Sequence, residues 1–384
     1  MIFHGGNVFY NGSFQDLDVR VQDGLIQEIG NHIPPGTGET VKDISGRRLL
    51  PGLIDVHTHG RAGEDFTYAS PEGICRAAAD YCAHGVTSLL ATTMTMDEEF
   101  SRQMVSRIGR AMESDYQGSR ILGINLEGPF LGRDKKGCHD EQYLRPVDID
   151  WFAQLDECAR GSIRMVDLDP RYPEALSFIR RYGKEKIISI AHSSAGYDLA
   201  CQAADAGAWH VTHLFNAMNS LHHREPGILG MVYDKKVYAE LITDGLHVHP
   251  SVIRMMFAMI PEKICLVSDS LSAAGRADGI YELGGLEVFV KEGRACLADG
   301  TLACSTISVY EGMLRCMEFG VPQEQAILAA TWQPACSIRM EDKIGAIRQG
   351  LYADLLVTDQ EYHLEEVYVG GKLLHHGRTG RVSQ

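Results

Sequence analysis

Residues 51–59 read PGLIDVHTH. A Pro-Gly turn leads into an apolar run, and His57 and His59 stand where that run emerges. In a strand, residues i and i+2 point the same way, so both imidazoles can face one point and grip one ion. An H-x-H pair alone is equally compatible with ordinary polar residues at a strand end. What surrounds it carries the reading further.

Seven more runs of this kind follow: VTSLLAT (86–92), ILGINLE (121–127), IRMVDLD (163–169), IISIAH (187–192), WHVTHLF (209–215), VYAELIT (237–243) and ICLVSD (264–269). Between them lie stretches such as EGICRAAADYCAHG (72–85) and SAGYDLACQAADAG (194–207). These carry apolar residues at helical spacing and end in glycine. Eight alternating units predict a (β/α)8 TIM barrel over residues 51–345.

The ends of the chain have another rhythm. IFHGGNVFY (2–10), DLDVRVQDG (16–24) and GLIQEIG (24–30) read as short strands, as do ADLLVTD (353–359) and HLEEVYVGGKLLHHG (363–377). They predict a small β-sandwich domain built from both termini, residues 1–50 and 346–384. Residues 34–38, PPGTG, read as a loop.

Polar residues recur at the ends of the barrel runs. His57, His59, Glu127, His192, His213 and Asp269 all fall at or just past the end of a predicted strand. In a barrel those ends converge on one face, where active sites sit. Six dispersed residues thereby become one cluster. A carboxylate such as Glu127 at the end of an apolar strand is costly unless paired or metal-bound. Histidine and carboxylate donors without cysteine suit divalent zinc or iron, with manganese or cobalt also compatible. Asp269 can accept a proton from a metal-activated water and pass it to a leaving amine. His139, Arg224 and His247 lie in loops after the third, sixth and seventh runs; each is a substrate-side candidate and each also reads as a solvated loop residue. Alternation turns His210 away from His213, so it reads as structural.

The net charge of the 384-residue chain is −15, which argues against general nucleic-acid binding. Apolar residues make up 45% and charged residues 23%, an ordinary globular balance. Ten scattered cysteines without a C-x-x-C pair fit reduced thiols. The first twenty residues lack the basic and apolar regions of a secretory signal, and no apolar run approaches the roughly 20 residues of a membrane span. A cytoplasmic protein with no membrane contact is expected.

Longer stretches carry a resemblance. PGLIDVHTHG, GVTSLLATT, NLEGPFL, KKGCHD, AHSSA, VTHLFNAMN, HREPGILG, ITDGLHVHP, LVSDSLSAAG, GTLACST and ATWQPA span most of the chain, and GLYADLLV closes the terminal sheet. The chain resembles the N-acetylglucosamine-6-phosphate deacetylases of the amidohydrolase superfamily. NLEGPF and THLFNAM are the specific pieces. The resemblance implies that Glu127, His192 and His213 hold one divalent ion and that His57 and His59 help hold a second, giving one or two per subunit. It implies that Asp269 is the catalytic acid and base and that His139 polarises the acetyl carbonyl. It implies substrate contacts from Cys138, Asn216, Ala217, Asp244, His247, Leu302, Ala303 and Cys304. Arg224 would bind the phosphate across a homodimer interface. The reaction implied is hydrolysis of the N-acetyl group of N-acetylglucosamine 6-phosphate to glucosamine 6-phosphate and acetate.

The chain departs from that pattern in places. Ala191 precedes His192 where glycine is frequent, Ser-Leu-Ser follows Asp269, and Cys304 stands where glycine is common. The fourth run continues as VDLDPR (166–171) where an Ala-Pro-Glu ending is usual. Other readings are the galacto epimer of the substrate, another amidohydrolase acting on a cyclic or N-acyl amide, or a barrel scaffold without catalysis. The related hydrolases that bridge their metals with a carboxylated lysine differ here, since Glu127 has no lysine beside it.

Overall fold

A computed structural model describes residues 1–379 of the chain. Eight parallel strands form its centre: β1 (Leu53–Asp55), β2 (Val86–Thr93), β3 (Arg120–Glu127), β4 (Ile163–Leu168), β5 (Ile187–Ile190), β6 (His210–Val211), β7 (Tyr238–Ile242) and β8 (Ile264–Val267). Each pairs with the next in order. Just beyond the strands, the Asp269 N–H donates to the His57 carbonyl (2.9 Å) and the His59 N–H to the Ser270 carbonyl (2.9 Å), drawing β8 against β1. All eight predicted runs are therefore barrel strands.

The helical stretches lie where their spacing places them. Pro71–Ala83 begins at Ser70, whose hydroxyl accepts the Gly73 N–H, and gives way to Gly85 at φ 83°. Tyr197–Ala206 stops at Gly207, φ 123°, a backbone angle that costs a side chain but not glycine. Strand alternation sorts the side chains. On β4, Val166 and Leu168 join the core under the helices, whereas Met165 joins a separate core inside the barrel. Ile338, Met340 and Ile344 belong to that inner core.

The chain ends pair in one continuous sheet. Its order runs Lys372–Thr379, Leu364–Val369, Leu355–Thr358, Arg48–Pro51, Ile2–Tyr10, Ser13–Gln22, Leu25–Gly30, and Val41–Asp43 also pairs with Ile2–Tyr10. Phe3 packs edge-on against Tyr368 with ring centroids 4.9 Å apart, although two strands separate theirs in hydrogen-bonding order. The sheet thus folds over a core of its own that includes Val8, Val19, Leu49, Leu355 and Val357. The last five residues of the expected terminal domain, 380–384, lie outside the described residues. Arg120 on β3 joins Asp354 of the sheet at 2.7 Å, which ties it to the barrel.

One element has no counterpart in the sequence reading. After β8 the chain makes an antiparallel meander, Gly279–Leu283, Leu286–Lys291 and Arg294–Cys296. Its Leu283, Val288, Val290 and Ala295 pack with Met94, Cys138, Leu271 and Ala303 beside the barrel mouth. Among the described residues no helix is long and apolar enough to cross a membrane. All ten cysteines are free.

Candidate active site

The carboxyl ends of the strands surround a cavity of about 530 Å³. Glu127, at the end of β3, is its centre. Its Oε1 lies 3.0 Å from His192 Nε2 and 3.1 Å from His213 Nε2. Its Oε2 lies 3.1 Å from His59 Nε2 and 3.6 Å from His57 Nε2. Asp269 Oδ1 faces the same two histidines at 3.4 and 3.6 Å. The carboxylate of Glu127 therefore spans two donor sets, one on each oxygen. All six predicted cluster residues are buried and come together.

The backbone turns the side chains inward. His192, His213 and Asp269 follow their strands at φ 44°, 30° and 46°. Left-handed conformations disfavour non-glycine residues and persist where the surroundings enforce them, often at functional sites. Cys304, at the position where glycine is common in the resembling proteins, has φ 60°.

Hydrogen bonds behind the rings set their protons. His57 Nδ1 is 2.8 Å from Glu240 Oε2, and a carboxylate only accepts, so Nδ1 carries the hydrogen. His192 Nδ1 likewise donates to the Lys135 carbonyl at 2.7 Å. Nε2 of both rings then faces the cavity and is the atom left to bind an ion. His192 Nε2 also lies 3.0 Å from His213 Nε2, and His57 Nε2 has no hydrogen-bond partner. Ring nitrogens and carboxylate oxygens converging in this way, with outer partners orienting the rings, are what a divalent cation requires. The donor atoms of Glu127, His192 and His213 lie within 4.8 Å of one another, as do those of His57, His59 and Asp269.

The field in the cavity favours positive charge. Burial works against charging His57, but the carboxylates of Glu240, Glu127 and Asp269 hold its pKa well above the usual histidine value. His59 is raised in the same way, against burial, by Asp269 and Glu127. Glu127 in turn is held well below the usual carboxylate range, since the surrounding imidazoles outweigh its burial. His192 behaves differently: burial pushes it down to about 4.

His139 occupies the loop after β3. The Thr95 N–H lies 3.3 Å from its Nδ1 and can only donate, so Nδ1 accepts and the hydrogen sits on Nε2. That Nε2 faces the cavity, 3.5 Å from Glu127 Oε2. Cys138, Asn216, Ala217, His247, Leu302 and Cys304 also line the cavity. Asp244 stands behind the wall, where its Oδ2 accepts from His247 Nδ1 at 2.7 Å. Ala303 is fully buried in the core beneath the meander. Arg224 is exposed, outside the cavity lining, with Nη1 2.7 Å from His223 Nε2.

Several site residues escaped the sequence reading. Glu240 orients His57 and accepts the His213 N–H at 2.9 Å. Its signal was an acid in the middle of the apolar run VYAELIT. His210, read as structural, lies 3.6 Å from the other oxygen of Glu240. Arg133, Lys135 and Lys136 add positive charge to the cavity mouth. In the departing VDLDPR segment, Arg171 pairs with Asp169 at 2.6 Å and with Asp134, which braces the loop that carries those cations.

The barrel thus gathers paired histidine–carboxylate sets at its carboxyl end, donors of the kind that hold a divalent cation. A sequence model of the amidohydrolase family matches residues 48–374, and the chain belongs to that family. It is 36% identical over 352 residues to the N-acetylglucosamine-6-phosphate deacetylase of Bacillus subtilis (strain 168), covering 89% of each chain. It is 33% identical over 365 residues to the N-acetylgalactosamine-6-phosphate deacetylase of Escherichia coli O157:H7, covering 94% of this chain and 96% of the relative. The crystal structure of N-acetylglucosamine-6-phosphate deacetylase from Pasteurella multocida superposes with a TM-score of 0.92 at 28% identity, over 98% of this chain and 99% of that one.

Proposed function

We propose that this chain hydrolyses the N-acetyl group of N-acetylglucosamine 6-phosphate, releasing acetate and glucosamine 6-phosphate. The observation that carries the proposal is Glu127, whose two oxygens serve two histidine sets directly opposite Asp269. Glu127, His192 and His213 would hold one divalent ion, zinc or iron, and His57, His59 and Asp269 a second, with Glu127 shared. An ion bound there supplies Lewis acidity, which lowers the pKa of a water and polarises the amide carbonyl.

The chain's own residues supply the rest. The Nε2–H of His139 donates to the carbonyl oxygen as it gains negative charge, and Thr95 keeps that hydrogen on Nε2. Asp269 accepts a proton from the attacking water and returns it to the amine nitrogen as the C–N bond breaks. Burial alone would raise its pKa, but His57, His59 and His213 hold it below the ordinary value, so the carboxylate is ionised. Cys138, Asn216, Ala217, His247, Leu302 and Cys304 would contact the sugar, with Asp244 and Ala303 supporting them. Lys135 and Lys136 bring positive charge to a phosphate, and Arg224 would complete its binding from a second subunit of a homodimer. The free thiols support a reducing, cytoplasmic setting.

Acetate release from a panel of N-acetylated sugars, with and without a 6-phosphate, tests the proposal. Charge-assisted hydrogen bonds of ~1.5–3 kcal/mol predict a phosphate preference of about tenfold or more in kcat/KM. Equal rates on both forms would remove the phosphate from the reading. The Escherichia coli relative favours a second reading, the galacto epimer. The same panel separates the two, with the gluco substrate expected to be faster.

A further inference from the structure

The barrel interior holds a carboxylate that the proposed mechanism leaves unused. Asp167 lies on β4, where the β3–β4 register sets it directly beside Glu127. It is fully buried, and no backbone or side-chain N–H donates to either of its oxygens; its polar neighbour is the Thr212 hydroxyl. That hydroxyl is shared with Ser189 Oγ at 2.6 Å, so a single neutral donor is what the carboxylate is offered. Its other neighbours include the acids Glu127 and Glu240, which repel it. A carboxylate buried beside other acids, with a shared hydroxyl and no cation paired to it, is a costly arrangement in a protein interior. His57, whose Nε2 is also without a partner, offers a donor atom within 4.8 Å of atoms from both Glu127 and Asp167.

We propose that Asp167 is a further ligand of the ion that His57 and Glu127 would share with His59 and Asp269. This rests on reading the barrel mouth as a divalent-metal site. That cation gives the Asp167 oxygens a positive partner on the same ion as His57 Nε2. It also offsets the repulsion between neighbouring acids on β3 and β4. The segment VDLDPR, where the chain departs from the proteins it resembles, brings this acid into the centre.

The test is zinc binding by metal-stripped protein, in competition with a chromophoric chelator. Wild type is compared with D167N, which keeps shape and volume but removes the anionic donor. The expected result is a tenfold or greater loss of affinity for one ion in D167N, with the other ion held within about twofold where two bind. Melting temperatures give an independent readout. Metal-free D167N should melt at or above metal-free wild type, because the repulsion of a buried acid by Glu127 and Glu240 is gone, and zinc should raise its melting temperature less. Unchanged affinity together with an unchanged zinc-induced shift would overturn the proposal. If D167N does not fold, D167T takes its place in both measurements. A wild type that binds no divalent ion would instead overturn the reading of the whole mouth. Normal metal binding by D167N in an otherwise active protein would overturn only the role of Asp167.

Discussion

Asp18 and Asp167 are both buried strand carboxylates, and the two ends of the molecule treat them in opposite ways. In the terminal sheet, Asp18 accepts the Gly5 N–H at 3.1 Å, the Ile33 N–H at 2.9 Å and a hydrogen bond from His4 Nδ1 at 2.9 Å. In the barrel, Asp167 receives no N–H donor, and its neighbours include the acids Glu127 and Glu240. A satisfied buried acid joins strands together. Unsatisfied ones, gathered at the carboxyl ends of a barrel, mark where a ligand completes the structure. The sheet is built for folding, while the mouth sets folding preferences aside for binding and chemistry.

Substitutions in the two regions should therefore fail differently. Glu127→Ala removes the donor common to both histidine sets. It is expected to abolish acetate release and to lower metal content, read by elemental analysis of the purified protein; full activity would separate Glu127 from the centre. Glu240→Gln leaves every inner donor in place but weakens the hold on His57 and the His213 backbone. A loss of about 10- to 100-fold in metal affinity or turnover is expected from such an outer partner, and no change in either would show that His57 needs no support. Asp18→Asn should leave kcat unchanged and cost roughly 1–3 kcal/mol of stability at pH 7, the penalty for unmatched buried donors. Burial alone would raise the pKa of Asp18, but the Ile33 and Gly5 N–H groups and His4 hold it below the ordinary value. Its stabilising contribution is thus complete above the unfolded pKa of about 3.9 and fades as the pH falls through the lower folded value. Denaturant melts of wild type and Asp18→Asn should converge below about pH 4. A constant gap would show that charge is not what matters at Asp18.

The same contrast explains what could be read from the chain. Strand ends were legible because each is local: an apolar run, then His57, Glu127, His192, His213 or Asp269. The barrel rule carried those local signals to one place. Glu240 and Asp167 lie inside their runs, at VYAELIT and IRMVDLD, and their partners come from other strands. Only the register between strands reveals which groups they meet. The meander over 279–296 carries its own signals, alternation in LEVFVK and a Gly284-Gly285 turn with φ 59° and 82°. It falls after the eighth unit, in a stretch read as part of the barrel. Lys135 and Lys136 were quoted within a motif, but their place at the cavity mouth depends on the loop that Arg171 braces.

The central claim is that Asp269 moves the proton at a centre whose metal is held chiefly by other residues. The most direct measurement is kcat for acetate release by Asp269→Asn protein whose metal content equals that of wild type. The account predicts a fall of about 10²- to 10⁴-fold, the range for loss of a general acid and base. Turnover near the wild-type rate, with the metal in place, would contradict it.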